Sequence, residues 1–406
     1  MRLQRDAVSD RVPGRWTCPT WLPSRRRLSV TAASACSLWE RWNTGRTFLL
    51  VTWTSAMVFV LVTPAHPVAV DAQPGPEMHP VGDVRTIVES TGTETGEDVD
   101  PTRTFRPAIA DYVRLSACWG TSRMQVGEAL ETAGLLREVV VAVLDTGIDT
   151  TDSRIGDRTD GSEVVVEGAK PEDVCGHGTR VAGTILTIAP NSRVLSIKVA
   201  DDRGHCTTSD VAAGIRLAAN AGAAVINLSL VCESSDKLQA AVEHAWRKGA
   251  VLVAAAGMPQ TQTAGTVSVC GDCAISGDSY QPLMSPPVFP AAYPHVLAVT
   301  GTNTRDEMAP VSNRADWVDV AAPGHRTCLG EREAGYLTGT SMAAAHISGV
   351  AAIMCGVAVD QSGDARVNDE VREAIERTAE PMAMEGTGYG IVNARTAVDF
   401  LLSTGR

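Results

Sequence analysis

Short, continuous apolar runs recur along the last two thirds of the chain and constrain its fold more than any other feature. They lie at residues 139–144, 194–199, 224–230, 250–256 and 296–300, and helical patterns lie at 177–188, 209–221, 237–248, 340–356 and 367–378. Runs that do not alternate with polar residues are typical of strands buried on both faces of a parallel sheet. The sequence therefore predicts an α/β fold with a doubly wound, mostly parallel sheet flanked by helices.

Three segments place chemically useful side chains where reacting groups are expected, beyond the carboxyl ends of such strands. Asp145 ends the first run, in LDTGID, and taken alone it is a turn aspartate. His177 stands between two glycines at the start of a helical pattern, where a single histidine is usually structural. Ser341 begins a helix of small residues, where a serine is a favoured N-cap but where free N–H groups also suit an oxyanion.

These three residues have a chemical meaning together that none of them has alone. A serine is a poor nucleophile at neutral pH and needs an adjacent base, and the base needs a third group that fixes its tautomer. The chain order Asp145, His177, Ser341 excludes the α/β-hydrolase arrangement, in which the serine comes first. The set therefore indicates a charge relay for nucleophilic catalysis.

The same segments resemble the three signature segments of the subtilisin-like serine peptidases, the subtilases. They read VAVLDTGID, HGTRVAGTI and GTSMAAAHISGVAAI, and the resemblance covers roughly residues 107–402. A weaker resemblance is to the mycosins, membrane-anchored subtilases of actinobacterial secretion systems. The resemblance implies a subtilisin-like fold and a serine endopeptidase that needs no cofactor. The resemblance further implies that Ser341 attacks the peptide carbonyl, that His177 transfers the proton and that Asp145 orients the imidazole.

The resemblance also implies where a polypeptide substrate binds. The Gly204 region and the pair Ser229–Leu230 would flank an extended peptide, and small residues that include Ala255 and Gly257 would line the pocket for the side chain preceding the cut. Their small apolar walls favour an uncharged side chain there. The backbone N–H of Ser341 would supply one hydrogen bond to the oxyanion.

The chain departs from the family at Met258, where subtilases carry the asparagine that donates the second oxyanion hydrogen bond. A thioether donates nothing. In a subtilisin, loss of this donor costs about 100- to 1,000-fold in turnover. Either Gln260 or Thr261 replaces the amide, or the protein is a pseudopeptidase that binds extended peptides with little cleavage. The complete set of three groups favours the enzyme.

The N-terminal region reads as an export signal. Residues 1–46 hold nine arginines, residues 47–63 carry no charge, and 70–72 (VDA) form a small-residue cleavage site. The apolar run is also near the length of a membrane anchor. We therefore expect a leader with a signal peptide or anchor at 1–72, a disordered acidic linker at 73–106, and a subtilisin-like domain at 107–406 that acts outside the cytoplasm.

The charge of the chain limits its partners. The formal net charge is −12, and the basic leader makes the remainder more acidic still. Such a surface disfavours nucleic acid and anionic lipid. We expect a polypeptide substrate, no nucleic acid, and membrane contact only through the N-terminal anchor.

Eight cysteines follow the leader, which in an exported chain suggests disulfides. We expect Cys175 to pair with Cys206 and Cys232 to pair with Cys270 or Cys273, whereas Cys355, on the Ser341 helix, would be a free core thiol. The pair Cys270–Cys273 lies in a Gly- and Ser-rich loop, which disfavours a redox or zinc site.

A metal is the remaining cofactor question. Relatives often carry structural calcium, and acidic loop residues supply candidate oxygen ligands here: Asp149, Asp152, Asp157 and Asp160. Solvated acidic turns explain the same residues, and no calcium motif is readable, so we assign no metal ligands.

Overall fold

A computed structural model describes residues 48–53, 56–61, 104–108, 111, 115, 118–259, 284–310, 312–328 and 336–405. The chain divides into two compact units, Met1–Ser90 and Thr91–Arg406. In the first unit, β1 (Phe48–Trp53) pairs antiparallel with β2 (Ala56–Leu61). These strands occupy the apolar run of the expected signal peptide or anchor, whose role stays a prediction.

The second unit is built on a sheet of seven strands, all of them parallel. In chain order they are β5 (Val139–Asp145), β6 (Thr159–Val164), β7 (Ser192–Lys198), β8 (Val225–Leu228), β9 (Val251–Ala255), β10 (Val296–Thr302) and β11 (Val320–Pro323). Their order across the sheet is β11-β10-β9-β8-β5-β7-β6. The predicted doubly wound parallel sheet is confirmed.

Short antiparallel pairs lie outside this sheet. Strand β3 (Thr104–Phe105) pairs with β4 (Leu136–Arg137), and β12 (Thr327–Cys328) pairs with β13 (Tyr336–Leu337). Strand β3 lies inside the segment expected to be a disordered linker, and its partner β4 lies in the expected subtilisin-like domain. The remainder of that segment before residue 104 lies outside the described residues.

Helices cover both faces of the sheet. They are α1 (Trp119–Arg123), α2 (Val126–Ala133), α3 (His177–Ile188), α4 (Thr208–Asn220), α5 (Asp236–Arg247), α6 (Thr340–Val357), α7 (Asn368–Thr378) and α8 (Ala394–Thr404). Helices α4 and α5 pack in one core, and α2, α3, α6, α7 and α8 pack in the other. The apolar face of each helix is thereby buried against the sheet.

Strand β5 shows why its sequence is apolar without alternation. Val139, Val141 and Val143 face the core that contains α3 and α6. Val140 and Leu144 face the core that contains α4 and α5. Because successive side chains of a strand point to opposite faces, a strand between two cores must be apolar at every position.

Helix α6 is the central helix of the fold. Apart from His346, its 18 residues are small or apolar, and within the described part of the chain it is the one helix long and apolar enough to cross a membrane. It is 89% buried inside the protein. It is therefore the core helix of this domain, and it places Ser341 at the edge of the sheet.

Candidate active site

Asp145 and His177 meet at the carboxyl edge of the sheet. Strand β5 ends at Asp145, which is 1% exposed, and α3 begins at His177, which is 8% exposed. The imidazole Nδ1 lies 2.7 Å from Asp145 Oδ1, and the same oxygen accepts the backbone N–H of Thr146 at 2.8 Å. A carboxylate can only accept, so the proton lies on Nδ1 and Nε2 is left as a base.

Gly178 permits this contact. A Cβ atom at this position would lie 2.2 Å from the carbonyl oxygen of Gly147 and 3.1 Å from Asp145 Cβ. Any side chain there would push α3 away from the end of β5. Gly178 therefore allows the start of α3 to lie close to the end of β5.

Asp173 hydrogen-bonds both to the segment after Asp145 and to the start of α3, and its role was not predicted from the sequence. One carboxylate oxygen accepts the hydroxyl of Thr146 at 2.7 Å and the N–H of Gly176 at 2.8 Å. The other accepts the N–H and the hydroxyl of Thr179, at 2.8 and 2.6 Å. The available signal was an acidic residue just ahead of the helix that begins at His177, where an anion satisfies free N–H groups.

Ser341 lies in the first turn of α6 and is half-buried. Its hydroxyl donates to the carbonyl oxygen of Ser229 at 3.2 Å, so it is turned to that carbonyl rather than to His177. The hydroxyl of Ser229 donates in return to the carbonyl of Ser341 at 2.9 Å. Helices α3 and α6 are packed together in one core, which brings the serine and histidine segments to the same edge.

A buried hydrogen-bond chain supports the Ser229–Ser341 contact. The hydroxyl of Ser348 donates to the side-chain carbonyl of Asn227 at 2.9 Å, and the amide of Asn227 donates to Ser229 Oγ at 3.0 Å. Asn227 and Ser348 are fully buried. Satisfied polar chains of this kind hold side chains in one arrangement.

The residues expected to line the substrate pocket lie beside Ser341. Ala255 ends β9, and the N–H of Gly257 donates to Thr340 Oγ1 at 3.0 Å, one residue before Ser341. Leu230 is buried next to Ser229. The structure thus brings the Ser229–Leu230 and Gly257 segments to the start of α6, beside Ser341.

Gly204 lies in a tight turn on the neighbouring loop. Its φ is +76°, and its N–H donates to the carbonyl of Asp201 at 2.9 Å. The loop returns to the sheet through Cys206, whose thiol contacts the carbonyl of Val231 at 3.7 Å. The contact between Cys206 and Val231 therefore joins the Gly204 loop to the Ser229–Leu230 segment.

Met258 follows Gly257 directly and is half-buried. Its sulfur can accept a weak hydrogen bond but has no proton to donate to an oxyanion. Gln260 and Thr261, the two candidates for a replacement donor, lie outside the described residues.

The expected cysteine pairs are wrong for the described cysteines. Cys206 and Cys232 are free thiols, whereas Cys175 and Cys118 are disulfide-bonded. Cys206 packs in the core beneath α4, which explains why it does not pair with Cys175. Cys355 is a free, buried thiol, as expected, and burial raises its pKa to about 12. Cys270 and Cys273 lie outside the described residues.

Three of the four acidic loop residues have donors within the protein. Asp149 accepts the N–H and hydroxyl of Thr151, Asp152 pairs with Arg154, and Asp160 pairs with Arg193. These contacts account for the three residues as members of acidic turns and ion pairs. Across the residues that the structure describes, no group of three His, Cys, Asp or Glu side chains could hold a metal ion.

Comparisons with known proteins show which family the chain resembles. The model of the subtilase family matches residues 137–394. The chain is 37% identical to the thermophilic serine proteinase of Bacillus sp. (strain AK1), over 64% of this chain and 61% of that protein. It is 33% identical to thermitase of Thermoactinomyces vulgaris, over 64% of this chain and 88% of that protein.

A solved structure shows the same fold. The crystal structure of MycP1 with the N-terminal propeptide removed matches with a TM-score of 0.55 and 27% identity, covering 69% of this chain and 96% of that one. The resemblance to subtilisins and mycosins is confirmed by these matches. The chain belongs to the subtilase family.

Proposed function

We propose that this subtilase is a serine endopeptidase that hydrolyses polypeptides outside the cytoplasm through Asp145, His177 and Ser341. The observation that carries the proposal is the 2.7 Å contact between His177 Nδ1 and Asp145 Oδ1, at the sheet edge where α6 presents Ser341. The relatives named above support a peptidase, because one of them is a serine proteinase by name and the chain itself matches the model of the subtilase family.

The proposed reaction begins with rotation of the Ser341 hydroxyl from the carbonyl of Ser229 toward Nε2 of His177. His177 accepts the proton as Ser341 Oγ attacks the peptide carbonyl, and Asp145 stabilises the imidazolium. The imidazolium then gives the proton to the leaving amine. Water, activated by the same imidazole, hydrolyses the acyl-enzyme and frees Ser341.

The developing oxyanion needs hydrogen-bond donors. The N–H of Ser341 is one of the first of α6, and helix geometry leaves such groups without an acceptor inside the helix. It is the first donor, and the positive end of α6 adds to its effect. With Met258 at the second position, we infer a slow peptidase that retains attack by the triad.

The substrate would lie extended between the Gly204 loop and the Ser229–Leu230 segment, with its P1 side chain against Ala255 and Gly257. The small side chains along this wall leave room for an apolar residue and offer no charge to pair with a charged one. We therefore expect cleavage after uncharged residues.

A pseudopeptidase is the second candidate. Two observations favour it: Met258 offers no donor, and the Ser341 hydroxyl is bonded to a carbonyl instead of to His177. In that case extended peptides bind at the same edge of the sheet and are released uncut.

Covalent labelling by a fluorophosphonate separates the two candidates. An activated serine reacts with the probe whether or not peptide hydrolysis is fast. We expect labelling of Ser341 in the wild type, and loss of labelling in His177→Ala and Ser341→Ala. An unlabelled wild type that still binds peptides would establish the pseudopeptidase.

A further inference from the structure

Lys198 ends β7 and is the largest side chain that is fully buried in the described part of the chain, with 0% of it exposed. An ammonium group is rarely buried unless each of its protons has an acceptor. Neither its burial nor its partners are explained by the site described above. The position of this cation therefore requires a structural or functional reason.

Three oxygens surround the ammonium group. The carbonyl of Thr146 accepts its shortest hydrogen bond, Asp202 Oδ1 lies at 3.0 Å, and the carbonyl of Glu172 lies at 3.3 Å. An ammonium carries three protons, so all of its donors are used. The buried charge is compensated by one carboxylate and two carbonyl dipoles.

The three oxygens come from the three segments that build the proposed site. Thr146 follows Asp145, and Glu172 precedes Asp173, the carboxylate that holds the start of α3. Asp202 lies in the loop that carries Gly204. Strand pairing supports this placement, because Asp145 and Lys198 are direct partners in the parallel β5–β7 register.

We propose that Lys198 is a positioning residue for this site, fixing the Asp145–His177 pair and the Gly204 loop relative to one another. The inference rests on the proposed peptidase function, and Lys198 takes no part in the bond-making and bond-breaking steps of that function. Lys198 does not reach the reacting atoms. It acts through the carbonyls of Thr146 and Glu172 and through the carboxylate of Asp202.

Loss of the ammonium group would leave two backbone carbonyls without the donor that Lys198 now provides. The buried carbonyl of Thr146 and the partly buried carbonyl of Glu172 would lose this donor, and the loss favours a rearrangement that recovers a hydrogen bond, most strongly at Thr146. One carbonyl is a single residue from Asp145, and the other is next to the carboxylate that anchors α3. A shift of either segment changes the Asp145–His177 contact directly.

The decisive variant is Lys198→Met, which keeps the length of the side chain and removes the charge. Lys237→Met, on the exposed side of α5, is the matched control. The first readout is the downfield proton NMR signal of the Nδ1–H between His177 and Asp145, which requires no turnover. We expect this signal to shift or broaden in Lys198→Met and to remain in place in Lys237→Met.

The second readout is the rate of fluorophosphonate labelling. Misplacement of a catalytic group by about 1 Å costs on the order of 100-fold in rate, so we expect Lys198→Met to label about 10- to 100-fold more slowly. An unchanged proton signal and an unchanged labelling rate in a folded Lys198→Met would overturn the inference while the proposed function stands. A wild type with the proton signal but no labelling would instead remove the proposed function, and the NMR comparison would still test Lys198.

Asp202→Ala provides a second test if Lys198→Met does not fold. Asp202 is 56% exposed, and the variant removes the acceptor of the third proton of Lys198. We expect the KM for long peptides to rise severalfold, because the Gly204 loop loses its anchor, with little change in labelling by the small probe. If Asp202→Ala impaired the cleavage of long peptides and the labelling by the small probe equally, or changed neither, the proposed link between Lys198 and the Gly204 loop would be contradicted.

Discussion

The carbonyl oxygen of Ser229 accepts the hydroxyl proton of Ser341 at 3.2 Å, while the hydroxyl of Ser229 donates to the carbonyl of Ser341 at 2.9 Å. This reciprocal pair holds the start of α6 against the end of β8. It also holds the hydroxyl of Ser341 at the carbonyl of Ser229, an orientation that this hydroxyl must leave in the proposed reaction. The pair therefore affects both the stability and the reactivity of the site.

Ser229→Ala tests this relationship. The variant removes the hydrogen bond to the carbonyl of Ser341 and leaves the buried amide of Asn227 without its acceptor, which costs about 1–3 kcal/mol of folding free energy. We expect a lower melting temperature and slower labelling of Ser341, measured by thermal denaturation and by fluorophosphonate kinetics.

Ser192→Ala is the control for this change. Ser192 is buried in β7, and its hydroxyl has no hydrogen-bond partner. The same substitution there removes no bond, so stability and labelling should stay close to those of the wild type. Equal effects of the two variants would show that the Ser229–Ser341 pair has no special role.

Gly178→Ala should separate His177 from Asp145. The added Cβ would lie 2.2 Å from a backbone carbonyl oxygen, a distance that real Cβ atoms do not show, so α3 must move. We expect labelling of Ser341 to fall to the level of His177→Ala, with the folded state retained in circular dichroism.

Gly405→Ala makes the same chemical change where there is room for it. The added Cβ at the end of α8 would lie 3.6 Å from the nearest backbone oxygen, an ordinary contact. This variant should label like the wild type. Full labelling of Gly178→Ala would show that the close approach of α3 to β5 is dispensable.

Met258→Asn should raise peptide hydrolysis by restoring a donor at the second oxyanion position. In a subtilisin, one such donor is worth about 100- to 1,000-fold in turnover, which sets the upper limit of the expected gain. Steady-state kinetics on a peptide substrate measure kcat, which should rise while KM changes little. Met258→Leu, which adds no donor, should leave kcat unchanged; a similar gain in both variants would point to packing instead.

His346 makes the folded state sensitive to acid. It is buried in α6, Nδ1 contacts the carbonyl of Met342 at 2.7 Å, and burial lowers its pKa to about 4. Below pH 6.5 His346 binds a proton in the unfolded chain, whereas in the folded protein it becomes protonated only near pH 4. The free energy of unfolding therefore falls as the pH drops through this window, by on the order of 3 kcal/mol from this group.

The measurement is the melting temperature between pH 7.5 and 4.5 for the wild type and His346→Gln. The variant lacks the titrating group, so its melting temperature should fall less over this range even if it is lower at pH 7.5. Parallel curves for the two proteins would exclude His346 as the source of the acid sensitivity.

The central strands and the main helices were predictable because their sequence pattern has a direct physical cause. Strand β5 lies between two cores and is apolar throughout, and α3 spans the predicted residues 177–188. Strand β6, with the sequence TDGSEV, was not predicted. It lies at the edge of the sheet with one neighbouring strand and exposed side chains, so it needs no apolar run.

The proposed catalytic residues could be named from local motifs, whereas the residues that hold them in place could not. Asp145, His177 and Ser341 each stand in a recognisable segment. Lys198 reads as an ordinary strand lysine, because its burial depends on oxygens from three segments far apart in sequence. Cysteine pairing failed for the same reason, since the direction of each thiol is set by the three-dimensional fold.

The placement of α6 has a consequence for biosynthesis. The helix that presents Ser341 follows β5 and α3 in the chain, and it must be buried in a core to which strands and helices from the whole second unit contribute. A growing or partly folded chain thus holds the histidine and the aspartate before it holds the proposed nucleophile. Completion of the fold itself would then be the step that assembles the proposed site.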